Sequence, residues 1–194
     1  FDMDGDGDQD LLVSVAFGRT RLYRNTLRET GKAGYAESPL PGGPDAYTVS
    51  VTATVFDYDR DGRPDILIGN VLDTHLRRYD PPRPLSIFKL PDAEGPGDRR
   101  MFPFMHESWN RSTNGGRNLL YRNAGGGRFE AVDAAALGLP ETHWTIAAVA
   151  GDLDRDGWPD LYLASDFGPD DVYLNRPASA GTRRFSRISG RMFG

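Results

Sequence analysis

Three short apolar runs punctuate the chain: Leu11 to Ala16, Ile66 to Val71 and Leu161 to Ser165, each bounded by turn-forming residues. Their length and their flanks mark them as strands, and an unbroken apolar run marks a strand buried on both faces. Alternating runs, Thr48 to Phe56 and His143 to Gly151, precede the second and third. After each apolar run comes a stretch ending in Asn: Leu22-Tyr23-Arg24-Asn25, Leu120-Tyr121-Arg122-Asn123 and Val172-Tyr173-Leu174-Asn175. A turn and a segment with one aromatic follow: Gly34–Glu37 with Tyr35, Arg128–Val132 with Phe129, and Arg184–Ile188 with Phe185. The unit therefore has four strands. The aromatics and the Tyr positions are expected to pack between neighbouring units.

The spacing confirms a repeat. From Asp10 to Asn25 and from Asp160 to Asn175 is 15 residues, whereas from Asp65 to Asn123 is 58, which marks a 43-residue insertion between about 73 and 115. With it removed the period is steady. Four antiparallel strands at this period predict an all-β chain of β-propeller blades. The expected division is a partial blade over 1–47, a second over 48–142 carrying the insertion, a third over 143–189, and the start of another at 190–194. Propellers close with about four to eight blades, so the natural protein is expected to be longer, with its true N-terminus ahead of Phe1. The only helix candidate is Val132 to Leu139, an alanine-rich stretch that Gly138 and Pro140 would end.

Each apolar run is entered through the same nine-residue pattern. The copies are Asp2-Met3-Asp4-Gly5-Asp6-Gly7-Asp8-Gln9-Asp10, Asp57-Tyr58-Asp59-Arg60-Asp61-Gly62-Arg63-Pro64-Asp65 and Asp152-Leu153-Asp154-Arg155-Asp156-Gly157-Trp158-Pro159-Asp160. Carboxylates stand at positions 1, 3, 5 and 9 and glycine at position 6. Two like charges 4 Å apart repel by about 4 kcal/mol at an effective dielectric near 20, so a compact loop of four carboxylates calls for a cation. Hard oxygen donors at alternating positions with a glycine turn describe a Ca²⁺ loop. The expected ligands are the side chains of Asp2, Asp4, Asp6 and Asp10, of Asp57, Asp59, Asp61 and Asp65, and of Asp152, Asp154, Asp156 and Asp160. The position-7 main-chain carbonyls of Asp8, Arg63 and Trp158 complete each set, leaving the Asp8 side chain outside it. Pro64 and Pro159 hold the preceding residue extended, which aims that carbonyl inward.

An EF-hand would need Glu at position 12, where this chain has Val13, Ile68 and Leu163, and a nine-residue β-roll would need far closer spacing. The net charge of −5 resides in the loops: without their aspartates the balance is positive. The arginines are scattered, so nucleic acid is not an expected partner. No stretch approaches a membrane span. There is no cysteine, and so no disulfide framework.

The Phe-Asp-x-Asp-x-Asp-Gly-x-x-Asp loop followed by an apolar strand resembles the FG-GAP/VCBS repeat of integrin α-subunit β-propellers. The strings Gly116-Arg117-Asn118-Leu119-Leu120-Tyr121-Arg122-Asn123 and Ala164-Ser165-Asp166-Phe167-Gly168-Pro169-Asp170-Asp171 resemble the cartilage acidic protein/ASPIC-UnbV branch. The resemblance implies a secreted, surface-exposed or periplasmic propeller, seven-bladed in the full-length protein and stabilised by calcium, that binds a protein or carbohydrate ligand and is not an enzyme. A propeller enzyme such as a polysaccharide lyase, and a purely structural spacer, are the alternatives.

Other motifs are weak. Asp166-Phe167-Gly168 matches a kinase tripeptide without the rest of a kinase set. His75, His106 and His143 are isolated, and His143 reads as a packed or edge residue. Gly125-Gly126-Gly127 reads as a hairpin turn. Asn110-Arg111-Ser112 is a glycosylation sequon. The insertion holds six prolines, which argue against regular structure, and Phe88, Met101, Phe102, Phe104, Met105 and Trp109, which make it either a cover for the blades or a partner-binding surface.

Overall fold

The computed structural model describes residues 1–41, 47–71, 75, 76, 83, 84, 115–140, 143–166 and 168–188. The chain is all-β there, in three antiparallel sheets that follow one another along the sequence as propeller blades do. The insertion's aromatics, the sequon and Phe167 lie outside the described residues.

The first sheet has the order β1 (Leu11–Val13), β3 (Arg21–Asn25), β4 (Tyr35–Ser38). The middle sheet is built from β5 (Tyr47–Phe56), β6 (Asp65–Asn70), β9 (Leu119–Gly125) and β10 (Arg128–Val132), each paired with the next. The third repeats this with β11 (Trp144–Gly151), β12 (Asp160–Asp166), β13 (Asp171–Pro177) and β14 (Arg183–Ile188). The second and third loops join the first and second strands of their sheets, as the pattern predicts, and the first loop leads into β1. Within the insertion, His75–Leu76 (β7) and Arg83–Pro84 (β8) form a small antiparallel pair, so part of that proline-rich segment is regular after all.

Two elements depart from the sequence reading. The run Leu11 to Ala16 is not one strand: after Val13 the chain leaves the first sheet, and β2 (Ala16–Arg19) pairs with β5 of the middle sheet. The outer edge of β5 offers unpaired N–H and C=O groups, and β2 satisfies them. The expected helix over Val132 to Leu139 is instead the end of β10 followed by successive turns at 134–138. Asp133 Oδ1 accepts the amides of Ala135 and Ala136. Phe185 N then donates to the Leu137 carbonyl at 2.8 Å, so β14 takes the acceptor a continuing helix would use. A one-turn helix not foreseen, α1 (Leu27–Thr30), lies between β3 and β4.

The core forms two layers between sheets. Met3, Leu22, Ile66, Ile68, Tyr121 and Phe129 pack between the first and middle sheets. Phe56, Tyr58, Leu67, Leu120, Leu161 and Phe185 belong to the layer between the middle and third. Strand β6 is buried along its whole length, Ile66 and Ile68 facing one layer and Leu67 the other, as its unbroken apolar run predicts. Tyr121, Phe129, Tyr173 and Phe185 are buried, but Tyr35 is 57% exposed. Its counterparts Phe129 and Phe185 turn toward the preceding sheet, and no sheet precedes the first among the described residues.

At the end of the sheets away from the loops, Asn118 Oδ1 accepts Asn70 N at 2.9 Å and its Nδ2 donates to Thr145 Oγ1 at 3.1 Å, tying the middle sheet to the third. Gly69 makes the approach possible: a Cβ there would lie 2.5 Å from Thr52 Cγ2 and 2.8 Å from Thr145 Cγ2.

Candidate metal centre

The three loops fold alike, and short-range hydrogen bonds explain why. At position 1, Asp57 Oδ1 accepts Asp61 N at 3.0 Å and Oδ2 accepts Gly62 N at 2.8 Å. Asp152 repeats this with Asp156 N at 3.0 Å and Gly157 N at 2.9 Å. Asp2 takes the amides of Gly5 and Gly7 at 2.8 and 3.0 Å. At position 5, Asp6, Asp61 and Asp156 each accept the amide two residues on, at 2.9, 3.0 and 2.9 Å. These are Asx turns, which Asp forms readily.

The position-6 glycines have φ of +88°, +86° and +87°, a left-handed geometry that favours Gly. Position 4 is left-handed as well, through Gly5 at +82°, Arg60 at +55° and Arg155 at +65°. The sequence reading missed this second left-handed position, although Gly5 was a signal for it.

Position 9 is a buried staple. Asp65 Oδ2 accepts Tyr58 N at 3.1 Å and Oδ1 accepts Asn123 N at 2.8 Å. Asp10 does the same with Met3 N and Asn25 N, and Asp160 with Leu153 N and Asn175 N. Each oxygen retains a further lone pair. The Tyr-x-Asn motif thus exists to place a main-chain amide on the last loop aspartate.

The loops bring carboxylates together. One oxygen from each of Asp2, Asp4 and Asp6 lies within 4.8 Å of the others, and the same holds for Asp57, Asp59 and Asp61 and for Asp152, Asp154 and Asp160. Asp10 and Asp65 fall outside such a triad, and so does Asp156. The donors are all carboxylates with no His or Cys among them, a set that fits a hard cation such as Ca²⁺. A fourth triad, Asp6, Asp8 and Glu29, was not foreseen: the Asp8 side chain is buried beside Asp6 and accepts Arg28 N at 3.2 Å.

Arginines set the charge balance of two loops. Arg122 Nε lies 3.0 Å from Asp59 Oδ2 and its Nη2 lies 3.4 Å from Asp61 Oδ2. Arg63 also pairs with Asp61 and donates Nε to the Asn123 carbonyl at 2.9 Å. In the third loop Arg176 pairs with Asp154, and Arg183 lies 3.3 Å from Asp156 Oδ2 and stacks 4.0 Å over the Trp158 ring. The Trp158 amide hydrogen bond, then Arg183 and Arg176, hold the Asp156 carboxyl below its ordinary value. Burial acts the other way elsewhere: it pushes Asp65 up to about 7 and raises Asp4, and the neighbouring loop carboxylates add to both shifts. Burial also raises Tyr58 to about 12.

Away from the loops, His143 Nδ1 lies 2.8 Å from Asp171 Oδ2 with both groups buried, and Arg187 also pairs with Asp171. This triple contact fastens the start of β11 to β13 and β14, in accord with a packed histidine. No described helix is long and apolar enough to cross a membrane.

Comparison with known proteins agrees with this geometry. No curated protein sequence matches the chain. The family model described as FG-GAP-like repeat matches residues 2–68 and 109–163, spans that contain all three loops and at least the first part of each exit strand and leave out 69–108. That match covers more than half of the chain, which therefore belongs to the FG-GAP-like repeat family.

Proposed function

We propose that this chain is the calcium-binding part of an extracellular or cell-surface β-propeller that serves as a binding or adhesion module. The observation that carries the reading is the threefold loop: three copies with the same Asx turn at position 5 and the same left-handed positions, each presenting an all-oxygen triad. Membership of the FG-GAP-like repeat family supports a propeller-like module. The outward faces of the first and third sheets support further blades. Leu11 and Val13 of β1 are exposed, as are Val149, Leu153 and Tyr162 of the third repeat. Their counterparts in the middle sheet's second strand and loop, Ile66, Ile68, Tyr58 and Leu67, are all buried. A neighbouring blade on each side would cover those apolar side chains.

In this reading each loop takes one Ca²⁺ through its aspartates and its position-7 carbonyl, with water completing the shell. The ion neutralises the carboxylates and stiffens the connection between the first two strands of its blade. The ligand is a protein or a carbohydrate, and the integrin-like and ASPIC/UnbV-like character implied by the sequence belongs to the same proposal. Calcium calorimetry on the full chain tests it: saturable binding, abolished in one loop by Asp57→Asn with Asp59→Asn, is expected. A chain that binds no calcium at millimolar concentration would sink the reading.

A further inference from the structure

The first loop differs from the other two in its charge. In the second, position 7 is Arg63, whose guanidinium pairs with Asp61, and Arg122 reaches the same carboxylate. In the third, Arg176 and Arg183 reach Asp156. In both, the position-5 aspartate is thus neutralised on its Oδ2 by protein cations. The first loop reverses the sign at position 7, where it has Asp8.

The consequence is visible in the hydrogen bonding. Asp6 Oδ2 and Asp8 Oδ1 are buried with no partner, and Asp8 as a whole is only 8% exposed. Arg24, which corresponds to Arg122, does not turn to the loop but pairs with Glu29 at 3.2 Å. Arg28 lies near Gly7 on the loop's outer side, its Nη2 3.6 Å from where a Cβ would stand, and has no ion pair among the described residues. Meanwhile α1, which the middle repeat replaces by the glycine turn at 125–127, carries Glu29 back over the loop. One oxygen from each of Asp6, Asp8 and Glu29 then lies within 4.8 Å of the others.

Three carboxylates this close, two of them with a buried unpartnered oxygen and only Glu29 paired with an arginine, are costly without a further counter-charge. The Arg28 amide hydrogen bond to Asp8 Oδ2 holds that side chain in place, so it does not turn away to water. We propose that the first loop binds a second hard divalent cation, of the Ca²⁺ class, through Asp6, Asp8 and Glu29. The all-carboxylate donor set excludes softer metals as the preferred occupant. Asp6 belongs to both triads and bridges the two ions, so the second ion binds more weakly than the first. It fills the electrostatic role that Arg122 and Arg183 fill in the other loops. This inference rests on the reading that the loops hold calcium, and goes beyond it by one ion and two ligand residues.

Native mass spectrometry of the full chain across a Ca²⁺ titration tests it. Four ions are expected at saturation, the last entering at higher concentration. Glu29→Gln, at an exposed position where folding is not at stake, is expected to bind three, and so is Asp8→Asn, which still accepts the Arg28 amide. Three ions in the wild type, or four retained in both variants, overturns the second site and leaves the loop reading standing. Failure of the wild type to bind any calcium overturns both.

Discussion

Asn123 Nδ2 donates to the main-chain carbonyl of Met3 at 2.8 Å, across 120 residues of sequence. Met3 stands at position 2 of the first loop, while Asn123 N caps Asp65 of the second loop at 2.8 Å. One residue therefore couples two aspartate loops in adjacent sheets. The relation recurs one sheet on, where Asn175 Nδ2 donates to Tyr58 O at 2.8 Å and Asn175 N to Asp160 Oδ1 at 2.8 Å. Leu153, at position 2 of the third loop, is exposed and its loop has no such neighbour among the described residues.

Removing this link is expected to destabilise the chain. Asn123→Ala leaves the Met3 carbonyl without its donor in a buried site, at a cost of about 1–3 kcal/mol in urea unfolding. Asn25 is the internal control. Its Nδ2 donates to Gln9 O of its own loop at 3.2 Å and its Oδ1 accepts Leu27 N at 3.1 Å, both in an exposed setting and neither across sheets. Asn25→Ala is expected to cost less than half as much; equal losses would show that the cross-sheet bond contributes nothing.

Calcium should stabilise the fold by mass action, by about 2.7 kcal/mol per site at 100 times the dissociation constant. Asp61→Ala is expected to lose most of one site's share in millimolar calcium. In chelator the loss should be smaller, because the remaining interactions of Asp61 are the hydrogen bond it accepts from Arg63 N, worth about 0.5–1.5 kcal/mol, and partly exposed pairs with Arg63 and Arg122, a class worth about 0–1 kcal/mol. Thermal unfolding with and without chelator checks this. Equal losses in the two conditions would make the aspartates ordinary turn residues.

Arg122 repels an incoming cation while it steadies the empty loop. Arg122→Gln is therefore expected to raise calcium affinity at the second loop by about tenfold at low salt, since a unit charge a few ångströms away is worth about 1 kcal/mol or more. The same variant should be slightly less stable in chelator. Calorimetry in low and high salt reads the effect, which screening should reduce; unchanged affinity at low salt would count against the charge balance described above.

The pH dependence follows from Asp65. Burial raises its carboxyl from an ordinary 3.8 to about 7, so the folded chain binds this proton more tightly than the unfolded chain does. Its contribution to stability is full below about 4, declines as pH rises toward about 7, and is then lost. Asp156 has the opposite sign, its contribution being present above 3.8 and lost on acidification. In chelator the Asp65 trend is expected to dominate, with urea midpoints falling between pH 4.5 and 7. A bound cation favours the ionised carboxylate, so saturating calcium should flatten or reverse that slope. Parallel curves in chelator and calcium would show that Asp65 does not sense the ion.

The sequence alone determined what short-range physics controls. Asx turns and the position-6 glycine act within five residues, so the aspartate spacing was enough to place three loops, and residue alternation enough to place the strands that flank them. The Tyr-x-Asn spacing marked the third strand of every sheet. Tertiary structure decided what depends on neighbours distant in sequence. An edge strand does not encode which sheet it will join, so the departure of β2 to β5 was not legible. Nor was the fate of the would-be helix, whose Leu137 carbonyl is taken by Phe185 in β14. Arginines that look scattered along the chain converge on Asp59, Asp61, Asp154 and Asp156 only after the strands pair. Asp8 looked like a bystander until α1 folded Glu29 over it, because burial and counter-charge belong to packed elements and not to spacing.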